Sequence, residues 1–260
     1  MTTLSIITIC FNNLEDVLAT CASVDGQSRV PDEHLIIDGS TKPDISEYLE
    51  NNPQPAYRRW ICERDKGIAD AFNKGVQNST GEITLLLNSG DQLYDGTVTQ
   101  RVMELFENQP ELQWVHGKLQ MMRGGLWVVV GKPFEKAKLY RGMRGVFHPT
   151  MYVRREVYER RGLFDTSVKM AMDYDFLCRI ADEKNTFIDY PLATFDPTGI
   201  STTKYLDAMN ESYAVYRKYY GYSWKQTFWG WRLSILHHLL ESKFGKLLYR
   251  LKVKMKMENV

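Results

Sequence analysis

Asp91 closes the run Thr84-Leu85-Leu86-Leu87-Asn88-Ser89-Gly90-Asp91, in which apolar residues lead straight into a polar tip. Such a run reads as a strand buried on both faces, of the kind found in a parallel sheet covered by helices. Open α/β sheets bind ligands at the carboxyl ends of their strands. A carboxylate presented there can hold a hard cation and, through it, a phosphate. Asn, Ser, Gly and Asp also make ordinary solvated turns, so one tip decides little. Three more tips carry the same residue types. Leu4–Cys10 ends in Phe11-Asn12, His34–Ile37 ends in Asp38-Gly39-Ser40, and Arg59–Glu63 runs on to Asp65. If the tips converge on one sheet edge, they form a pocket holding Thr8, Asn12, Asp38, Asp65 and Asp91. Carboxylates so grouped repel one another unless a cation, or the hydroxyls of a sugar or nucleoside, lies between them.

The elements that must position these groups follow from periodicity. Leu14, Val17, Leu18 and Cys21 have helical spacing, as do Ile68, Ala71, Phe72 and Val76 after Gly67. The first 90 residues therefore alternate strand and helix, the pattern of a doubly wound α/β fold with a mostly parallel central sheet. No GxGxxG follows the first strand and no GxxxxGK[ST] occurs, which argues against a dinucleotide-dependent dehydrogenase and a P-loop NTPase. Residues 95–110 have helical character. Trp114–Met122 and Trp127–Gly131 flank Arg123-Gly124-Gly125 as a hairpin. Residues 133–147, rich in Gly, Lys and Arg, read as a loop over the site. His148 precedes Pro149 beside that loop, where it could touch an acceptor or a diphosphate, although a lone histidine is more often structural. Met172-Asp173-Tyr174-Asp175 opens a helix, and a carboxylate in a first turn is favoured by the helix dipole whatever else it does.

The chain has 260 residues, 43% of them apolar, which suits one α/β domain with an extension. Cys10, Cys21, Cys62 and Cys178 show neither CxxC pairing nor zinc-ligand spacing and read as reduced core residues. Leu4–Cys10 is too short and lacks the basic lead of a secretory leader, so a cytoplasmic location is expected. Net charge is +1, yet residues 217–260 carry +8 and the rest −7. That tail also holds Trp224, Phe228, Trp229 and Trp231, with Leu and aromatic residues alternating with Lys and Arg. The pattern suits a helix lying on an anionic membrane surface. A helix packed on its own domain, or a contact between two copies in a homodimer, would use the same residues. No nucleic-acid-binding module accompanies the basic stretch, which argues against a nucleic-acid partner.

Taken together, Ser5-Ile-Ile-Thr8, Ile37-Asp38-Gly39-Ser40, Asp65-Lys66-Gly67-Ile68-Ala69-Asp70-Ala71-Phe72-Asn73-Lys74-Gly75, Leu86–Asp91, Met172–Asp175 and Gly199-Ile-Ser-Thr-Thr203 resemble family 2 glycosyltransferases. The likeness is closest to the branch that builds bacterial surface polysaccharides, including colanic-acid and capsule enzymes. It covers residues 3–203 and implies a GT-A fold, with a nucleotide-sugar-binding half at about 1–95, an acceptor half at about 96–203, and a helical extension over 204–260. It implies an inverting, Mn²⁺- or Mg²⁺-assisted transfer from a nucleotide-diphospho-sugar, most simply a UDP-sugar. The acceptor would be a saccharide on a polyprenyl diphosphate at the inner face of the cytoplasmic membrane.

Carried over by position, the resemblance makes Thr8, Phe11, Asn12, Asp38, Asp65, Lys66, Gly67, Asn73, Asn88, Ser89 and Gly90 donor contacts, Asp91 the metal ligand and Asp173 the catalytic base. Two departures stand out. Ser89 and Gly90 replace the earlier acids of the Asp-x-Asp motif, so a metal would rest on Asp91, the diphosphate and water. Met172 replaces the Glu that usually precedes the base, which leaves Asp175 as a rival to Asp173. A helix's first turn points the two apart, so only one can face the cleft. The reduced motif also keeps open a non-catalytic member that binds nucleotide-sugar and scaffolds an assembly complex.

Overall fold

A computed structural model describes residues 2–123, 125–195, 205–241 and 245. Strand β1 (Leu4–Cys10) is buried along its whole length, as an apolar run between two helical layers requires. It pairs in parallel with β2 (Glu33–Asp38) on one side and β4 (Ile83–Leu86) on the other, and β3 (Arg58–Cys62) extends the parallel set beyond β2. Helices α1 (Leu14–Asp25), α2 (Asp44–Asn51) and α3 (Ile68–Asn78) make the crossovers. The ends of β1, β2, β3 and β4 therefore face one edge.

Beyond β4 the sheet turns mixed. The remaining strands are β5 (Gln92–Leu93), β6 (Trp114–Arg123), β7 (Leu126–Val130), β8 (Tyr152–Arg154) and β9 (Asn185–Phe195). The order is β3-β2-β1-β4-β8-β6-β9-β5, with β7 paired to β6 as the expected hairpin. Strand β8 runs antiparallel to β4, so the short 3₁₀ turn His148–Thr150 before it starts at the edge where β4 ends.

Helix α4 (Val98–Asn108) covers one face through Val98, Val102 and Phe106. On the other face α3, α5 (Arg155–Arg161) and α6 (Met172–Arg179) bury Phe72, Tyr158, Phe164 and Phe176 around Trp114. The 133–147 loop holds a 3₁₀ segment, Lys136–Arg141, pinned where the Tyr174 hydroxyl donates to the Leu139 carbonyl at 2.5 Å.

Two helices follow, α7 (Tyr205–Tyr220) and α8 (Trp224–Glu241). Helix α7 packs on α6, with Val215 in the core and Tyr219 donating to Asp175 at 2.9 Å. The start of the tail is thus bound to the catalytic body. The Gly199–Thr203 motif, the boundary at residue 203 and most of the chain beyond 241 lie outside the described residues. No helix among the described residues is long and apolar enough to cross a membrane.

Candidate active site

The tips of β1 and β2 are stitched by Asn12. Its backbone is left-handed (φ 54°), a conformation asparagine tolerates better than most residues. Its N–H donates to Ser40 Oγ at 2.8 Å, and its Oδ1 accepts the N–H groups of Thr41 at 3.0 Å and Lys42 at 3.1 Å. Phe11 beside it is exposed. Buried Asp38 accepts the Ser40 N–H at 2.9 Å. Gly39 leaves room next: a Cβ there would overlap the Asp65 carboxylate, so Asp65 lies directly against the β2 tip. Asp65 in turn accepts the Gly67 N–H at 2.9 Å, which holds the entry to α3, and Lys66 is exposed beside it.

Asn13 carries the stitching on to β4, donating to Ser89 Oγ at 2.7 Å. Gly90 adopts φ 97°, which only glycine takes easily, and its N–H donates to Thr20 Oγ1 at 3.0 Å. The turn leaves Asp91 buried at 3% exposure, with Oδ2 3.8 Å from His148 Nε2. Burial pushes the His148 pKa down to about 4, so the ring is neutral at physiological pH and this is no ion pair. The Asn88 amide meets the same Nε2 at 3.0 Å, which assigns the ring proton to Nδ1.

The Asp91 carboxylate and a buried Asn88 Oδ1 that has no hydrogen-bond partner among the described residues form an oxygen donor set that suits Mn²⁺ or Mg²⁺, and His148 Nε2, which accepts the Asn88 amide, holds that pair in place. No group of three or more His, Cys, Asp or Glu side chains able to cage a metal occurs among the described residues. The set therefore fits an ion whose other ligands are phosphate oxygens and water.

Asp173 lines a small cavity of about 20 Å³ that His148 also lines, walled by Leu86, Phe164 and Phe176. The cavity links the β4 tip to the start of α6. Burial lifts the Asp173 pKa to about 6; the N–H groups of Tyr174 and Asp173 itself oppose the rise, and the charge of Glu211 adds to it. Glu211, on α7, accepts the N–H groups of Lys169 at 2.9 Å, Met170 at 2.6 Å and Ala171 at 2.7 Å. It satisfies donors at the start of α6 and fixes the approach to Asp173. Nothing in the sequence around Glu211 marks this role, which arises only when α7 docks.

Three residues expected at the site are engaged elsewhere. Thr8 is fully buried inside β1, bonded to His34 Nε2 at 3.0 Å, and sits below the tip. The Asn73 amide clasps the main chain of Phe164, donating at 2.9 Å and accepting at 2.8 Å, and so ties α3 to the turn before α6. Asp175 is fully buried, held by Arg179 at 3.0 Å, Lys218 at 3.2 Å and Tyr219. It braces α6 against α7 and does not face an acceptor. Of the two acids weighed at the head of α6, Asp173 is the one on the cavity.

Comparison with known proteins gives the family and the fold. The model of glycosyl transferase family 2 matches residues 5–162, and the chain belongs to that family. An uncharacterized glycosyltransferase of Mycobacterium tuberculosis is 30% identical over 205 residues, spanning 77% of each chain. Among solved structures, S. aureus TarS superposes with a TM-score of 0.62 at 14% identity, over 93% of this chain and 44% of that one. The mannosyltransferase PcManGT of Pyrobaculum calidifontis, in complex with GDP-Man and Mn²⁺, superposes with a TM-score of 0.61 at 15% identity, over 99% of this chain and 81% of that one. The fold is GT-A, and the chain is a glycosyltransferase.

Proposed function

We propose that the chain transfers a sugar, with inversion, from a nucleotide-diphospho-sugar to a hydroxyl of a lipid-linked saccharide during surface polysaccharide synthesis. The observation that carries this reading is that His148, 3.8 Å from Asp91, lines the same small cavity as Asp173. Asp38 and Asp65 offer carboxylates to the base and ribose hydroxyls, with Asn12 and Phe11 bordering them, and a UDP-sugar is the simplest donor. Asn88 and Asp91, held in place by His148, would bind Mn²⁺ or Mg²⁺, which supplies charge neutralisation to the departing nucleoside diphosphate. Ser89 and Gly90 shape the turn that aims Asp91. Asp173 takes the proton of the acceptor hydroxyl as that oxygen attacks the anomeric carbon from the face opposite the leaving group.

A pKa near 6 suits this step, because the carboxylate is ionised at neutral pH yet more basic than an exposed one. Residues 1–203 would form the transferase unit, and the basic, aromatic tail would hold it to the inner face of the cytoplasmic membrane beside its acceptor. Replacing Asp91 with Ala, or Asp173 with Asn, should each lower turnover at least ~100-fold with the fold intact. Near-normal turnover in Asp173→Asn would remove the base assignment. The single carboxylate at the metal position favours a second reading, a nucleotide-sugar-binding scaffold, which would bind a donor without consuming it.

A further inference from the structure

Trp229, on α8, is surrounded by donors. The guanidinium carbons of Arg141, Arg144 and Arg232 lie 4.9, 5.1 and 4.8 Å from its ring centroid. Three positive charges around one indole repel each other, and cation–π attraction to a single ring does not neutralise them. The Trp229 Nε1–H is buried and has no hydrogen-bond partner among the described residues. Buried N–H groups are nearly always paired, so this one is an unmet donor among the described residues, on a side chain that lines a cavity. A cavity of about 110 Å³ opens here, lined also by Lys132, Lys138 and Leu177. That is room for several waters, and so for a tetrahedral oxyanion. The carboxylate lining it, Glu135, is held by Lys138 at 2.5 Å. A site where the guanidinium groups of Arg141, Arg144 and Arg232 crowd one indole that carries an unmet donor suits an anion with several acceptor oxygens.

The same helix shows what carries that anion. Trp224, Phe228, Trp231, Ile235 and Leu239 recur at intervals of three and four residues, so they share one face, and they are 41–68% exposed. The opposite side holds α8 to the body: Gln226 and Leu233 are buried, and Gln226 donates to the Tyr213 carbonyl at 3.3 Å. An exposed aromatic stripe beside a cationic pocket fits an amphiphile whose chains meet the stripe and whose phosphate enters the pocket.

We propose that the cavity among Arg141, Arg144 and Trp229 binds the phosphate group of a membrane lipid, with the α8 stripe against the acyl layer. This rests on the membrane reading above and deepens it by giving the contact a defined phosphate site. Leu177, which lines the cavity, lies one helical turn beyond Asp173 on α6, so a lipid bound there is held close to the candidate base.

The test is vesicle flotation of the full chain with phosphatidylcholine alone and with added phosphatidic acid. It compares wild type, Arg141→Gln/Arg144→Gln, Arg144→Gln alone and Phe228→Ser/Trp231→Ser, each checked for an unchanged melting temperature. The arginine pair should lose at least ~10-fold in affinity for the phosphatidic acid vesicles, and the exposed Arg144→Gln a smaller part. Inorganic diphosphate should compete with the vesicles for wild type. Equal vesicle binding by wild type and the arginine variants, with loss only in Phe228→Ser/Trp231→Ser, would overturn the phosphate site and leave membrane docking standing. Binding of inorganic diphosphate that requires the arginines, with no vesicle binding by wild type, would overturn the lipid as its source and the membrane reading with it.

Discussion

His148 Nε2 stands 3.8 Å from Asp91 Oδ2 and accepts the Asn88 amide at 3.0 Å, and the ring is held neutral, so the three side chains form one cluster at the tip of β4. On the proposed reading, that relationship makes His148 a positioning residue for the cation Asp91 would hold. Replacing His148 with Ala should weaken Mn²⁺ binding, raising the metal concentration for half-maximal turnover by ~10- to 100-fold. Titrating turnover against Mn²⁺ checks it. Removing metal with a chelator should silence wild type, and excess Mn²⁺ should restore it.

Asp173 should show the signature of a strained functional group. Its pKa rises from about 4 in the unfolded chain to about 6 in the fold. The folded state therefore binds the extra proton. This favours folding fully below pH 4, and the benefit is lost as pH rises through 6. At neutral pH the ionised carboxylate costs at most about 3 kcal/mol. Asp173→Asn should then melt higher than wild type at pH 7.5, with the gap closing near pH 4, while turnover falls at least ~100-fold. In wild type, kcat/KM should climb with pH through about 6 and level off above 7, because only the ionised form takes a proton.

Glu211 adds to the Asp173 shift while capping the turn before α6. Glu211→Gln keeps the shape and removes the charge. The acid limb of the pH profile should move to lower pH by a fraction of a unit, a change that a purely structural role would not produce. Glu211→Ala should also cost about 1–2 kcal/mol of stability in urea unfolding, since it strands three N–H donors.

Asp175 should behave in the opposite way to Asp173. Its carboxylate is fully buried between Arg179 and Lys218, and its loss leaves Arg179 without a carboxylate while Lys218 keeps Asp165 at 3.1 Å. Lys218 is about half exposed and can turn to water, so Asp175→Ala should cost about 2–3 kcal/mol, below the usual range for a broken buried pair. Denaturant unfolding measures this directly.

The contrast between these two acids shows what the sequence could reveal. Strands β1, β2 and β4 were legible because burial on both faces leaves an unbroken apolar run, and the tip residues Asp38, Asp65 and Asp91 follow from where such runs stop. Strand β9 was not, since Asn185–Phe195 includes Asp189 and Pro191 and is ordered by pairing with β6 and β5. Asp173 and Asp175 are equivalent as letters two residues apart. Only the docking of α7, which brings Lys218 and Tyr219 to Asp175 and Glu211 near Asp173, separates the proposed base from the brace. Thr8 and Asn73 were placed at the site by motif and are held elsewhere by His34 and Phe164, partners that no local spacing reveals.

The central claim is that one cleft combines a metal-held diphosphate with a base for the incoming hydroxyl. It is tested most directly by nucleoside diphosphate release with Mn²⁺ and a panel of nucleotide-sugars, with wild type, Asp91→Ala and Asp173→Asn side by side. Slow release from one donor by wild type, abolished in Asp91→Ala, with acceptor transfer lost in Asp173→Asn although the donor still binds, is the predicted result. Donor binding by wild type without any release, with or without acceptor, would contradict it and leave the chain a binding scaffold.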